Sequence, residues 1–434
     1  MEKLFKLEEN GTNVRTEITA GLTTFMTMAY ILAVNPAILS ASGMEYSRVF
    51  AATAIASAIA CFVMGFLANL PFALSAGMGL NAMFSYTVCL GMGYSWQWAL
   101  SAIFVEGILF CVMTLTNVRE AMITSIPKNL KKAISAGVGM YIAYIGLKSA
   151  GIIIADESNV SILNPEWYMG SQLVAIIGIA ITGVLFAWKV KGALLIGIVL
   201  TAVIGIPFHV TSYAGGAFIP ASPYFCNFAF SEIFKNGKTL MDFVLVVFTF
   251  LYVDMFDTLG TLIACAGKSG IVNKDGSIPK AKQALMADAI GTTMGAVFGT
   301  STVTTFIESS IGVAEGGRTG LTAITVGFMF LMSLFLSPVF GSIPSAATAP
   351  ALIIVGVLMI SPVREINFED FTESIPAFLT IMIMVCGSSI SDGIMFGILF
   401  YVLMKLFTGR IKEVRKVTVA FALLFLFKVV LDAF

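Results

Sequence analysis

Long apolar runs separated by short charged stretches set the pattern of this chain. Runs lie at about 18–39, 49–70, 72–91, 96–116, 129–153, 169–190 and 191–208. After a longer polar loop they resume at about 240–266, 281–298, 302–317, 320–340, 345–362, 373–390 and 391–408. Most are roughly 18–25 residues, the length a helix needs to cross a hydrocarbon core about 30 Å thick. They are continuously apolar rather than alternating, which argues against a strand barrel. The pattern predicts an all-α polytopic membrane protein with about 14 transmembrane segments, seven in each half. A further apolar stretch, 417–434, follows a basic linker at 409–416 and suits either a span or an interfacial helix.

Charge sharpens this reading. Of 434 residues, 58% are hydrophobic and only 12% charged, about half the charge of an ordinary soluble domain. With a cytoplasmic N-terminus, the inner loops hold Arg119, Lys128, Lys131, Lys132, Lys189 and Lys191 in the first half. In the second they hold Lys268, Lys274, Lys280, Lys282, Arg318, Arg364, Arg410, Lys412, Arg415 and Lys416. The opposite side carries Asp156, Glu157 and Glu166, with Lys235 and Lys238 as its main basic residues. That asymmetry follows the positive-inside rule and predicts a multi-pass protein of the cell membrane. Residues 1–17 are polar and no small-residue cleavage site follows, so no cleavable signal peptide is expected. Five of the six cysteines fall in apolar segments and Cys226 stands in a loop, which gives no disulfide framework and no metal site. His209, the single histidine, lies beside a loop.

An odd number of segments per half requires the second half to enter the membrane inverted. Weak echoes agree: Gly192-Ala-Leu-Leu-Ile-Gly-Ile-Val-Leu resembles Asp392-Gly-Ile-Met-Phe-Gly-Ile-Leu-Phe, and Ile126-Pro127 and Ile343-Pro344 each precede a fifth segment. An inverted repeat is a transporter architecture. The third segment of each half breaks the helical pattern. Pro71, Gly77 and Gly79 interrupt the first, and the Thr- and Val-rich run 301–305 opens the second. A short extended stretch leading into a half-helix is predicted in both. Such backbone is tolerated at membrane depth only where protein or water satisfies it, so the two pieces are expected to meet around one cavity.

Acids at that depth are costly, and a functional role is the default reading. Asp254 and Asp257 share roughly one helix face, three residues apart, and Glu308 opens the second half-helix. Asp254, Glu308 and the amide of Asn81 are the candidate substrate-binding groups. Asp254, Asp257 and Glu308 are the candidates for proton coupling or for bracing the site. The competing structural reading, a kink cap or an ion pair, lacks a basic partner in segment 8 before Lys268. Phe306 is a candidate ring for a planar ligand, with packing as its alternative. For Glu106 a packing hydrogen bond is an equal alternative, and Glu315 and Arg318 read as a solvated loop. Carboxylates without a matching cation repel anions. They suit protons, metal cations, or a neutral molecule bearing several N–H donors, because one carboxylate accepts two such bonds in a plane.

Gly77-Met-Gly-Leu-Asn-Ala, Val253-Asp-Met-Phe-Asp-Thr-Leu-Gly-Thr, and Gly299-Thr-Ser-Thr-Val-Thr-Thr-Phe-Ile-Glu-Ser-Ser running on to Gly316-Gly-Arg-Thr-Gly resemble the AzgA-like purine permeases of the nucleobase–cation symporters. Gly21-Leu-Thr-Thr-Phe-Met-Thr-Met-Ala-Tyr-Ile-Leu-Ala-Val-Asn-Pro is similar too, so the resemblance covers nearly the whole chain. It implies a core domain (1–117 and 240–342) moving against a gate domain (118–239, and 343–434 with the apolar tail), often in a homodimer. It implies uptake of hypoxanthine, guanine or adenine driven by the proton gradient, with no cofactor. The family positions important for binding or transport map onto Asn81, Asp254, Asp257 and Glu308. Two other classes compete. An anion carrier of the same architecture would want a cation or an uncompensated helix dipole at the site, where three acids stand instead. An intramembrane aspartyl protease would want its acids on neighbouring segments, whereas here two lie on one. Nothing in the sequence suggests a nucleic-acid partner.

Overall fold

In a computed structural model, the protein is described at residues 2–116, 127–155, 161–212, 215, 218, 220–235, 237–269 and 280–433. Arg119, Ile126, Asp156, Glu157 and Lys274 lie outside these residues. The first half runs through α1 (Val14–Met28), α2 (Ile31–Ser40), α3 (Tyr46–Val63), β1 (Leu74–Ala76), α4 (Met78–Ala82), α5 (Trp96–Thr116), α6 (Lys128–Ser149), β2 (Ile153–Ala155), β3 (Ser161–Leu163), α7 (Gly170–Ala187) and α8 (Ala193–Gly205). The second half runs through α9 (Gly237–Ser269), α10 (Ala281–Phe298), β4 (Val303–Thr305), α11 (Ser309–Ala314), α12 (Gly320–Ser333), α13 (Ser345–Met359), α14 (Phe371–Cys386), α15 (Ile390–Phe407) and α16 (Lys416–Ala433). Wider π-helical turns continue α3 over Met64–Ala68 and α4 over Met83–Gly91.

Seven helical stretches among the described residues are, by length and composition, able to cross a membrane. The remaining segments of the sequence pattern are shorter helices such as α8 and α14, more charged ones such as α6, α9 and α10, and the two interrupted segments. The first segment is also divided, because the chain turns at Ala29 and Tyr30 between α1 and α2.

The inverted repeat is visible in which helices touch. The second segment packs on the eleventh (α3 on α12), and its counterpart, the ninth, packs on the fourth (α10 on α5). The sixth lies on the twelfth (α7 on α13) as the thirteenth lies on the fifth (α14 on α6). The fifth and twelfth, α6 and α13, meet each other directly. Small residues permit these approaches. A Cβ on Gly356 would come 2.5 Å from the Gly139 carbonyl oxygen, and one on Gly139 would come 2.9 Å from that of Gly356. Two groups of helices result: α1–α5 with α9–α12, and α6–α8 with α13–α15. The tail helix α16 touches both groups, packing on α15 and α9, with Phe421 4.5 Å from Phe248 between ring centroids.

The predicted extended stretches form a two-stranded antiparallel ladder. Leu74 pairs with Thr305, Ser75 with Thr304 and Ala76 with Val303. Gly77 N–H to Thr302 O (3.0 Å) and Phe306 N–H to Ala73 O (2.9 Å) extend it at both ends. Hydroxyls close the flanks: Ser309 Oγ accepts from Ala73 N–H at 2.9 Å, and Thr292 Oγ1 donates to Val303 O at 3.0 Å. Backbone that would otherwise be costly at this depth is thereby satisfied.

Candidate functional site

The ladder joins the starts of the two half-helices, which leave it at opposite ends, Gly77 beside Thr302 and Phe306 beside Ala73. Asn81 sits in the first turn after β1, fully buried, and its Oδ1 accepts the hydroxyl of Ser301 just before β4. Its amide Nδ2 meets no acceptor among the described residues. Glu308 precedes α11 in helical conformation (φ −58°, ψ −22°) and is half-buried. The Tyr30 hydroxyl donates to Glu308 Oε1 at 2.9 Å. Tyr30 is the residue at which the first segment divides, so that break carries a side chain to the site. Asp257, also half-buried, lies near enough to act electrostatically on both Tyr30 and Glu308. With six residues, α11 is too short to develop much helix dipole, so recognition here falls to side chains.

Asp254, one turn from Asp257, belongs to a different cluster. It is fully buried and accepts from Thr258 Oγ1 at 3.3 Å. Thr258 approaches Asp288 more closely, at 2.9 Å, and Thr305 Oγ1 reaches Asp288 at 3.4 Å. Glu106, fully buried on α5, accepts from Thr302 Oγ1 at 2.9 Å and lies within hydrogen-bonding reach of the Asp254 carboxyl. Phe306 is buried within the main apolar cluster. The structure thus associates Asp257 and Glu308 with Tyr30, links Asn81 to Ser301 beside the Thr302 that binds Glu106, and joins Asp254 to Asp288 through Thr258.

Sequence reasoning did not single out Tyr30, Asp288 or Glu17. Asp288 had a readable signal, an acid in the apolar run 281–298. Glu17 is fully buried and caps the start of α12, accepting from Arg318 N–H (2.8 Å), Thr322 N–H (3.2 Å) and Thr322 Oγ1 (2.6 Å). Arg318, expected in a solvated loop, instead donates to Val313 O at 2.6 Å, tying the Gly-Gly-Arg-Thr-Gly string into the fold. Glu315 pairs with Lys191, across from the first group of helices to the second. Elsewhere between the groups a cavity of about 260 Å³ is lined by Tyr86, Tyr141, Tyr144, Lys148 and Ser388.

An inverted repeat whose two interrupted segments cross beside buried acids defines a membrane carrier. The chain belongs to the Permease family (Xan_ur_permease), which matches residues 15–396. It is 42% identical over 431 residues to the adenine permease AdeP of Escherichia coli, covering 99% of this chain and 96% of that one. It is 42% identical over 432 residues to the guanine/hypoxanthine permease PbuO of Bacillus subtilis, covering 97% and 98%. Among solved structures it resembles the transmembrane domain of the cyanobacterial bicarbonate transporter BicA, with a TM-score of 0.67 and 17% identity over 89% of this chain and 97% of that one. At that identity the likeness establishes the fold alone.

Proposed function

We propose that the protein takes up purine nucleobases, hypoxanthine and guanine in preference to adenine, together with protons, across the cell membrane. The observation that carries this reading is the composition of the site: two half-buried carboxyls, Glu308 and Asp257, and an amide donor without an acceptor at Asn81. Among the described residues no cation offsets the acids, and the one fully buried basic side chain, Lys405, pairs with Glu373 and Glu413. An anion is repelled by such a site, whereas a flat neutral heterocycle offers N–H groups to the carboxylates and a lone pair to the Asn81 amide. The relatives named as adenine and guanine/hypoxanthine permeases support the same substrate class.

In this reading the helices around the site, α1–α5 and α9–α12, act as a core that slides against a gate of α6–α8 and α13–α15. The N-terminus lies in the cytoplasm. Substrate reaches the site from the tyrosine-lined cavity between the two groups, and the Lys191–Glu315 pair holds the opposite side shut. The test is uptake of labelled hypoxanthine by cells lacking purine transport, with unlabelled guanine, adenine, xanthine and uracil as competitors. Expected are strong competition by guanine, weaker competition by adenine, none by uracil, and loss of accumulation with a protonophore. Glu308→Gln, which loses one charged acceptor, should abolish concentrative uptake. Absence of stimulated purine uptake, or full accumulation by Glu308→Gln, would refute this assignment.

A further inference from the structure

We propose that Glu106 holds the transported proton, sharing it with Asp254, at a site separate from the purine-binding acids Glu308 and Asp257. The inference rests on the reading of the protein as a proton-coupled purine carrier and names the group that performs the coupling. Glu106 is fully buried on α5. Its Oε2 receives the Thr302 hydroxyl at 2.9 Å, while its Oε1 receives no donor among the described residues. The carboxyl of Asp254 lies within hydrogen-bonding reach. Two buried carboxylates side by side repel, and one proton shared between them relieves the repulsion and supplies the missing donor.

Among the described residues no cation acts on Glu106. On α10, Asp288 adds a third acid, and it draws the Thr258 hydroxyl at 2.9 Å, against 3.3 Å from Thr258 to Asp254. Other charged groups with described side chains lie near the two ends of α5. At the Trp96 end, Tyr94 donates to Asp242 of α9 and Ser95 to Glu232; Lys238 begins α9 at the same end. At the Thr116 end, Lys282 of α10 donates to the Leu115 carbonyl at 3.2 Å. The π-helical turn against α5 contributes Tyr86 and Cys89, neither of them cationic.

The route to the purine site is short. Thr302, which binds Glu106, accepts the Gly77 N–H through its carbonyl, and its neighbour Ser301 binds Asn81. Gain of a proton from water on the loading side and its loss on the other therefore act on the ladder that carries both half-helices.

The experiment uses purified protein in liposomes with labelled hypoxanthine. It measures exchange at equal pH, accumulation under an imposed pH gradient, and substrate-evoked acidification of a trapped dye. Glu106→Gln supplies a permanent N–H toward Asp254 and cannot release a proton. Exchange is expected to persist within about threefold while the accumulation ratio falls to about one and acidification disappears. Unchanged accumulation by Glu106→Gln overturns the proposal. If that variant does not fold, Thr302→Val decides. Removing a hydrogen bond to a charged group should move the midpoint of the uptake-against-pH curve by about 1–2 pH units, and an unmoved midpoint overturns the proposal. A wild-type protein that accumulates no purine under a pH gradient refutes the proton-symport reading itself, a result distinct from failure of Glu106 alone.

Discussion

Replacing Gly79 by alanine tests whether the core slides against the gate at the first half-helix. A Cβ built on Gly79 lies 2.6 Å from Val138 Cγ1, and its only other neighbour within 4 Å is Val138 Cβ at 4.0 Å. Carbon atoms rest at about 3.5–4.0 Å, so a single methyl of helix α6 must retreat by about 1 Å. Overpacking of this kind costs about 1–3 kcal/mol, and alanine returns up to about 1 kcal/mol as a better helix former than glycine. A net penalty of about 1–2 kcal/mol applies only while α4 faces Val138, so it biases the carrier against that conformation. Initial uptake should fall about 5–30-fold, with a modest change in the melting temperature of detergent-solubilised protein. Val138→Ala removes the obstructing methyl, so Gly79→Ala in that background should be nearly neutral. The coupling energy from the cycle should match the 1–2 kcal/mol penalty. Equal damage in both backgrounds would refute the steric argument. Gly320 provides a contrast: its Cβ would meet Gly65 Cα and carbonyl carbon at 2.7 Å, and the carbonyl oxygen closer still. Those are backbone atoms, and no second-site truncation can relieve them.

Two further outcomes are expected. Lys191→Glu should slow uptake by at most about fivefold, the limit set by a partly exposed ion pair worth at most about 1 kcal/mol, and Lys191→Glu with Glu315→Lys should restore it; failure of the swap would remove the pair from the gating scheme. At the start of α14, Thr372 and Arg410 hold the Asp370 carboxyl at about 2, and beyond α15 Arg410 and Lys405 hold Glu413 at about 2. Depressed acids contribute stability above their unfolded values and lose it as pH falls through the folded ones, so melting temperature should drop between about pH 4 and pH 2. Arg410→Gln should flatten that drop, and an unchanged acid limb would count against the network.

The interrupted segments were legible because their signals are local. Pro71, Gly77 and Gly79 forbid a plain helix, and Thr302 to Thr305 favour extension. Inversion was legible from parity and loop charge. The division of labour among the acids was not. In sequence Asp254 ranks ahead of Asp257 as a binding group, whereas in the fold it is Asp257 that acts on Glu308 and on Tyr30, a residue 278 positions from Glu308. Glu17 was hidden for the same reason: its partners lie some 300 positions away, and an acid near a helix start ordinarily serves its own helix rather than another.

The ladder between residues 74–76 and 303–305 also sets a schedule for biogenesis. At about 5–20 residues per second, synthesis of the stretch between residues 76 and 303 takes roughly 10–45 s. Throughout that interval the first strand is inserted with an open hydrogen-bonding edge, costly in lipid and able to pair wrongly. The first half must therefore be sheltered by the insertion machinery or by a transient partner until its complement emerges. A pulse-labelled chain stalled before residue 303 should crosslink to such a partner, and one stalled well beyond 305 should not.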